Sequence, residues 1–282
     1  MSLKKHIPNA ITCGNLLCGC LAIIQTFQGN LVWAAYLVGI AVVLDFFDGF
    51  AARALNVTSP IGKDLDSLAD LVTFGVVPGL IMYHLIQMSL TDMIATDGMK
   101  QGWLIYPSSV TDELIKNDRR LSIPESIKYV ALIIPVFSAI RLAKFNNDTR
   151  QSTSFIGLPT PANALLICSL PLILWLHFDY FYLAQDNRVL PLVLLQHHQE
   201  IVGGIILEPI RLAILAVVMA ILLVVELPLF ALKFKTFAWK GNELKYIFII
   251  LSIGLLIAFK TIAIPLIIIL YLILSLVFYR KS

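Results

Sequence analysis

Charge is scarce in this chain. Asp, Glu, Lys and Arg make up 14% of its 282 residues, against roughly 25% in an ordinary soluble domain. Hydrophobic residues make up 59%, and the mean hydropathy is +0.85. So little polar surface excludes water as the solvent for most of the molecule. Cysteine is rare as well. Cys13, Cys18, Cys20 and Cys168 fall in apolar runs, the Cys18-Gly-Cys20 spacing is not that of a zinc pair, and all four read as packing residues. The five histidines, His6, His84, His177, His197 and His198, share no face, and no Ser-His or Cys-His pair suggests a covalent nucleophile. The net charge is only +3, and the basic residues sit beside apolar runs, not in a stripe that could follow a phosphate backbone. Nucleic-acid binding is therefore not expected. The first apolar run is long enough to span a bilayer and has no convincing cleavage site, so it is not read as a leader.

What is present is one apolar run after another. A hydrocarbon core of about 30 Å needs about 20 apolar residues per helical span, and backbone groups in lipid must bond within their own segment. Helical spans are expected at about 9–28, 31–54, 64–88, 126–146, 161–178, 206–232, 244–259 and 261–279. This is an all-α polytopic membrane protein of about eight helices and a single membrane domain over 1–282, with a core over about 1–180 and additional helices over about 206–282. Cytoplasmic loops retain Lys and Arg. Placing Lys4 and Lys5 in the cytoplasm puts Arg53, Lys63, Arg141, Lys144, Arg150, Lys233, Lys235, Lys240, Lys245, Arg280 and Lys281 there too. The 89–125 segment mixes acids and bases and reads as a polar excursion without a catalytic role.

Four acids stand out against this background. Asp45 and Asp48 close the second span, and Asp66 and Asp70 open the third. Spacings of three and four residues put each pair on one helical face. A turn at Asn56 to Pro60 returns the chain antiparallel, so both faces can meet. An Asp at mid-helix in a membrane costs about 2.5–3.5 kcal/mol, less near the interface, and mutual repulsion adds to that. Divalent cations resolve the conflict: carboxylates are hard ligands suited to Mg²⁺, Mn²⁺ or Ca²⁺, and four can hold two ions about 3.5–4 Å apart. Capping needs one acid at a helix start, not four that converge; only Asp64, off the shared face, reads as a solvated surface acid. Gly49 and Ala52 lie beside the first acid pair. Missing side chains there either admit a nucleotide or serve close helix packing, and spacing alone does not choose. Arg53 is suited to a phosphate at head-group level, or to anchoring the membrane edge. Asn9, Thr12 and Asn15 share a face at the start of the first span, where they can reach pyrophosphate or cytidine or simply cap the helix.

Asp45-x2-Asp48-Gly49-x2-Ala52-Arg53-x8-Gly62-x3-Asp66-x3-Asp70 resembles the full signature of the CDP-alcohol phosphatidyltransferases, with all eight fixed positions present. The resemblance implies that Asp45, Asp48, Asp66 and Asp70 bind two divalent ions, and that Gly49, Ala52, Arg53, Ser59 and Gly62 contact CDP-diacylglycerol. It also implies that Asp70 takes the proton from an acceptor alcohol and that CMP leaves. That division of labour is chemically sound, since the ions neutralise charge on the leaving group while a carboxylate orients and deprotonates the hydroxyl.

Four further stretches resemble the branch of that family whose acceptor is L-serine: Ile7 to Thr12 with Asn15, Asp66 to Pro78, Phe137 to Asn146, and Gly157 to Ala162. The last three spans carry no such likeness. Arg141, one to two turns inside the fourth span, is the natural partner for the serine carboxylate, its bland role being that of a snorkelling anchor. Lys144 and Thr160 join it on the strength of the resemblance, with Asn163 and Ser154 as possible lining. The implied partners are CDP-diacylglycerol, L-serine, membrane lipids and a second copy of the chain as a homodimer. The implied place is the inner cell membrane, with the site facing the cytoplasm. Glycerol 3-phosphate or inositol as acceptor is the nearest enzymatic alternative. A divalent cation transporter is a distant one, disfavoured because all four acids sit at one membrane edge. Arg211 and Glu226 read as charges inside the sixth span, with no role beyond pairing between helices.

Overall fold

The computed structural model describes residues 6–57, 60–91, 123–147, 155–185, 206, 208–230, 239 and 242–279. Ser59, Ser154, Lys4, Lys5, Arg150, Lys233, Lys235, Lys240, His197, His198, Arg280, Lys281 and the polar stretch 92–122 lie outside them. The described residues are almost wholly helical: α1 (His6–Phe27), α2 (Leu31–Ala54), α3 (Pro60–Asp70), α4 (Val77–Thr91), α5 (Ile133–Asn147), α6 (Thr160–Gln185), α7 (Pro209–Val224), α8 (Glu243–Phe259) and α9 (Ala263–Tyr279). Two two-residue strands, β1 (Phe155–Ile156) and β2 (Pro228–Leu229), pair antiparallel.

Five helical stretches among the described residues are long and apolar enough to cross a membrane: His6–Phe27, Leu31–Ala54, Pro60–Leu90, Glu125–Asn147 and Glu243–Val277. Thr160–Leu176 and Pro209–Val224 are shorter apolar helices. The Glu243–Val277 stretch is broken at Lys260, whose φ of 50° ends α8 before α9 begins. Eight apolar helical runs thus occur in the expected order: α8 and α9 share the last of the five long stretches, and α6 and α7 are the two shorter helices. Outward-facing Leu17, Trp33, Ile40, Phe46, Phe50, Ile250 and Ile257 are exposed, which suits a lipid solvent.

Local sequence explains the turns. Gly29, at φ 81°, ends α1, and the Asn30 amide donates back to the Gln25 carbonyl at 2.8 Å. Asn56 takes φ 51° after α2, a left-handed conformation that Asn tolerates better than most residues. Helix resumes at Pro60, earlier than the hydropathy suggested, with a ring pre-set for the first helical position. Between α3 and α4 the chain makes one π-helical turn, Leu71–Val76. It packs against α1, where Thr73 Oγ1 donates to the Asn15 carbonyl at 3.2 Å. A Cβ on Gly19 would lie 3.1 Å from Thr73 Cα and strike its hydroxyl. A 3₁₀ stretch, Glu125–Leu132, leads into α5.

The core lies below the acids. Phe74, Ile81, Met82, Leu85 and Ile86 of the π turn and α4 are fully buried, together with Ile134, Ile167 and Leu174. Ala22, Ala34 and Ala41 are also fully buried, small residues of the kind that let membrane helices approach closely. The expected sixth span, 206–232, ends its helix at Val224, because the chain then extends to form β2. Arg211 lies in the first turn of α7, where Glu208 caps the helix, accepting from the Arg211 amide at 2.7 Å and lying 3.8 Å from Arg211 Nε. Glu226 falls beyond the helix end. Both stand at the ends of the helix and not along its middle, which corrects the sequence reading.

Candidate active site

The end of α2 carries Asp45 and Asp48, the second half of α3 carries Asp66 and Asp70, and the acids can meet because the chain reverses between the two helices. Asp45, Asp48 and Asp66 each offer a carboxylate oxygen, and these oxygens lie within 4.8 Å of one another. Asp48 is buried, while Asp45 and Asp66 are half-buried. Asp70 stands one helical turn deeper at the bottom of α3, buried, with its side chain against that of Asp45. The four acids expected to converge thus form a triad plus a fourth member joined through Asp45.

Two residues of α1 reach across to this group. Thr12 Oγ1 donates to Asp48 Oδ2 at 2.7 Å. Asn15 Nδ2 approaches Asp70 Oδ1 at 3.4 Å. Both docking contacts depend on the close packing of α1 on α2 and α3. Three carboxylates this close repel one another unless protons or cations lie between them, and their all-oxygen donor set fits a hard divalent ion. The triad can therefore hold a metal.

Beside the triad opens a cavity of about 590 Å³, lined by Pro8, Asn9, Thr12, Asp48, Gly49, Ala52, Val57, Pro60, Gly62, Lys63 and Asp66. A nucleotide-sized group fits such a volume. The surroundings of Gly49 bear on its packing role. A Cβ built there would meet nothing within 4 Å except the guanidinium of Arg53, at 3.7 Å, so helix packing does not require glycine at this point. The missing side chain instead opens the cavity wall. Arg53 is exposed beside Gly49. Asn9, Thr12, Gly49, Ala52 and Gly62 line the space, whereas Asn15 faces Asp70 and Arg53 is not among the lining residues. Ser59 lies outside the described residues.

Lys63 was read from sequence only as a membrane-edge charge. It lines the cavity, and its Nζ donates to the Asn146 carbonyl at 2.8 Å. Asn146 Nδ2 in turn donates to Ser67 Oγ at 2.8 Å, tying the end of α5 to the acid-bearing helix. Its place directly after Gly62 in the acid motif was the available signal.

Arg141 projects from α5 and is buried, with its guanidinium 5.6 Å from the Phe145 ring centroid and in the electrostatic field of Asp70. A snorkelling anchor would be exposed, so the bland role does not describe it. Among the described residues its Nε has no hydrogen-bond partner, and neither do Ser138 Oγ, Thr160 Oγ1 or either amide atom of Asn163, all buried. Buried polar atoms without protein partners call for partners from elsewhere. Lys144 is exposed.

Residues 5–195 match the family model of CDP-alcohol phosphatidyltransferase. The chain belongs to the CDP-alcohol phosphatidyltransferase family. Three curated relatives carry the name CDP-diacylglycerol–serine O-phosphatidyltransferase. That of Bacillus subtilis is 34% identical over 157 residues, 56% of this chain and 70% of that protein. That of Helicobacter pylori strain J99 is 35% identical over 162 residues, 57% of this chain and 54% of that protein. That of Methanocaldococcus jannaschii is 29% identical over 168 residues, 59% of this chain and 61% of that protein. The chain thus spans between about half and about two thirds of the lengths of these relatives. The phosphatidyltransferase match takes in α1 to α6, both acid pairs and Arg141, while α7 to α9 lie beyond it.

Proposed function

We propose that the chain transfers the phosphatidyl group of CDP-diacylglycerol to L-serine, giving phosphatidylserine and CMP. The observation that carries this reading is the junction of the Asp45, Asp48 and Asp66 triad with the cavity that Asp48, Gly49 and Asp66 line. The names of the relatives point to the same reaction.

In this reading the cytidine and pyrophosphate occupy the cavity, against Asn9, Thr12, Gly49, Ala52 and Gly62, with Lys63 in its wall and Arg53 beside Gly49 as cations for the phosphates and Ser59 as a further donor-lipid contact. Asp45, Asp48, Asp66 and Asp70 would hold two divalent ions, Mg²⁺, Mn²⁺ or Ca²⁺. When bound, these ions neutralise charge on the pyrophosphate and on the departing CMP. Asp70 is the general base: the serine hydroxyl proton passes to its carboxylate as the hydroxyl oxygen bonds to the phosphorus bearing diacylglycerol. The bond from that phosphorus to the bridging oxygen breaks, and CMP takes the electron pair. Asn15 steadies Asp70 by occupying Oδ1. Arg141 supplies a planar fork to the serine carboxylate, with Thr160 and, at the edge, Lys144 completing the acceptor side. Residues of about 1–180 form the catalytic core of a single membrane domain. The site faces the cytoplasm from the inner cell membrane, the chain working as a homodimer.

Purified protein given CDP-diacylglycerol, Mn²⁺ and each candidate alcohol in turn tests the reading. Serine-dependent CMP release with formation of phosphatidylserine is expected. Release stimulated by glycerol 3-phosphate or inositol and not by serine would overturn the choice of acceptor.

A further inference from the structure

The stretch from Gly157 to Thr160, which leads into α6, is held by a part of the chain beyond the family match. β1 pairs with β2, Phe155 opposite Leu229 and Ile156 opposite Pro228. The Gly157 amide donates to the Leu227 carbonyl at 2.9 Å, and the Leu158 amide to the Leu222 carbonyl at 2.9 Å. Gly157 has φ of 78°, and a Cβ there would meet the Leu223 carbonyl oxygen at 2.7 Å. Such close backbone approach makes the contact a fixed latch and not a loose touch.

The latch is itself anchored from α9. Tyr271 Oη donates to the Phe230 carbonyl at 2.9 Å, directly after β2. The Tyr271 ring packs edge-on to Phe230 with centroids 4.9 Å apart, and tilts against Phe248 at 5.7 Å. Tyr271 is buried, as is Leu229 beside the bond. Tyr271 and Arg141 also lie in each other's electrostatic field. A polar hydroxyl in this apolar setting thus serves the backbone that sets the Gly157–Thr160 turn.

We infer that Tyr271 is a positioning residue for the acceptor alcohol, acting through its bond to Phe230 and the β1–β2 latch on the Gly157–Thr160 turn. The inference rests on the acceptor side lying at Thr160 and Arg141, as proposed above. The nucleotide cavity is lined from α1, α2 and the start of α3, so loosening the latch leaves the lipid donor's seat intact. Helices absent from the family match thereby contribute to the acceptor end of the reaction.

The variant Y271F keeps the ring packing and removes only the hydroxyl. Its KM for serine is expected to rise roughly three- to tenfold, the size of one lost neutral hydrogen bond, while kcat and the KM for CDP-diacylglycerol stay within about twofold. G157A is expected to move the same constant, and the double variant to fall short of the product of the two effects, because both act on one element. Equal rises in both KM values, or none, in Y271F would overturn the inference. Should the wild type use a different alcohol, the serine reading falls while the Y271F comparison is made on that alcohol's KM. Should no alcohol be used, hydrogen exchange still decides: faster exchange of the Gly157 and Leu158 amides in Y271F supports the latch, and unchanged exchange overturns it.

Discussion

Asp70→Asn separates proton transfer from binding. Asp70 is outside the trio of oxygens within 4.8 Å of one another, and the carbonyl of an introduced amide can still accept from Asn15 Nδ2, now 3.4 Å from Asp70 Oδ1. The shape of the site and most of its cation ligation should therefore survive, whereas an amide cannot take a proton from an alcohol. A positioned general base contributes about 10²- to 10⁴-fold, or about 2.7–5.4 kcal/mol of barrier at about 1.36 kcal/mol per tenfold. Turnover, followed as serine-dependent CMP release from detergent-solubilised protein, should fall by that factor. Binding of CDP-diacylglycerol, followed by its effect on thermal unfolding, should change by less than about threefold. Asp66→Ala, which removes a member of the triad, should lose both. Turnover of D70N within tenfold of wild type would remove Asp70 from the base role. A parallel loss of donor binding would make it a ligand and nothing more.

Arg141→Ala should raise the serine KM more than the donor KM; an equal effect on both, measured by initial rates, would make Arg141 structural. Arg141→Lys should restore only part of the loss, since an ammonium lacks the planar fork. Titrating Mg²⁺ or Mn²⁺ into metal-stripped protein should raise the unfolding temperature, by an amount corresponding to about 2.7 kcal/mol at 100 times the dissociation constant. Asp66→Ala should abolish the rise, and an equal rise in that variant would place the cations elsewhere. Gly19→Ala should destabilise the protein by about 1–3 kcal/mol, because its Cβ would press on Thr73. A midpoint of thermal unfolding equal to wild type would show that the contact relaxes at no cost.

Much of the scaffold was legible because lipid demands long apolar runs, and each run emerged as a helix. The acid pairs were legible because three- and four-residue spacings fix a helical face whatever lies around it. The partners of those acids were harder. Asn9, Thr12 and Asn15 share a face, yet Thr12 reaches Asp48 and Asn15 reaches Asp70, a division set by how α1 lies across two other helices and by no local pattern. The place of Arg211 in the first turn of α7 was missed although Glu208-Pro209 carries a cap followed by the proline of a first helical position; the surrounding apolar residues masked that signal. The β1–β2 pairing joins residues more than 70 positions apart through two-residue strands, too short for any periodicity to show.

The wide turn at Leu71–Val76 sets the compass bearing of the chemistry. Below it, α4 is seated in the core by Ile81, Met82, Leu85 and Ile86, so its azimuth cannot drift. Above it, α3 inherits whatever heading the turn imparts, and a π turn gives a different heading from the α turn it replaces. Each residue removed from a helix swings everything beyond it by about 100°. A shortened turn would leave the apolar half anchored while aiming Asp66 and Asp70 past Asp45 and Asp48, producing a well-folded protein with its acids pointing at nothing.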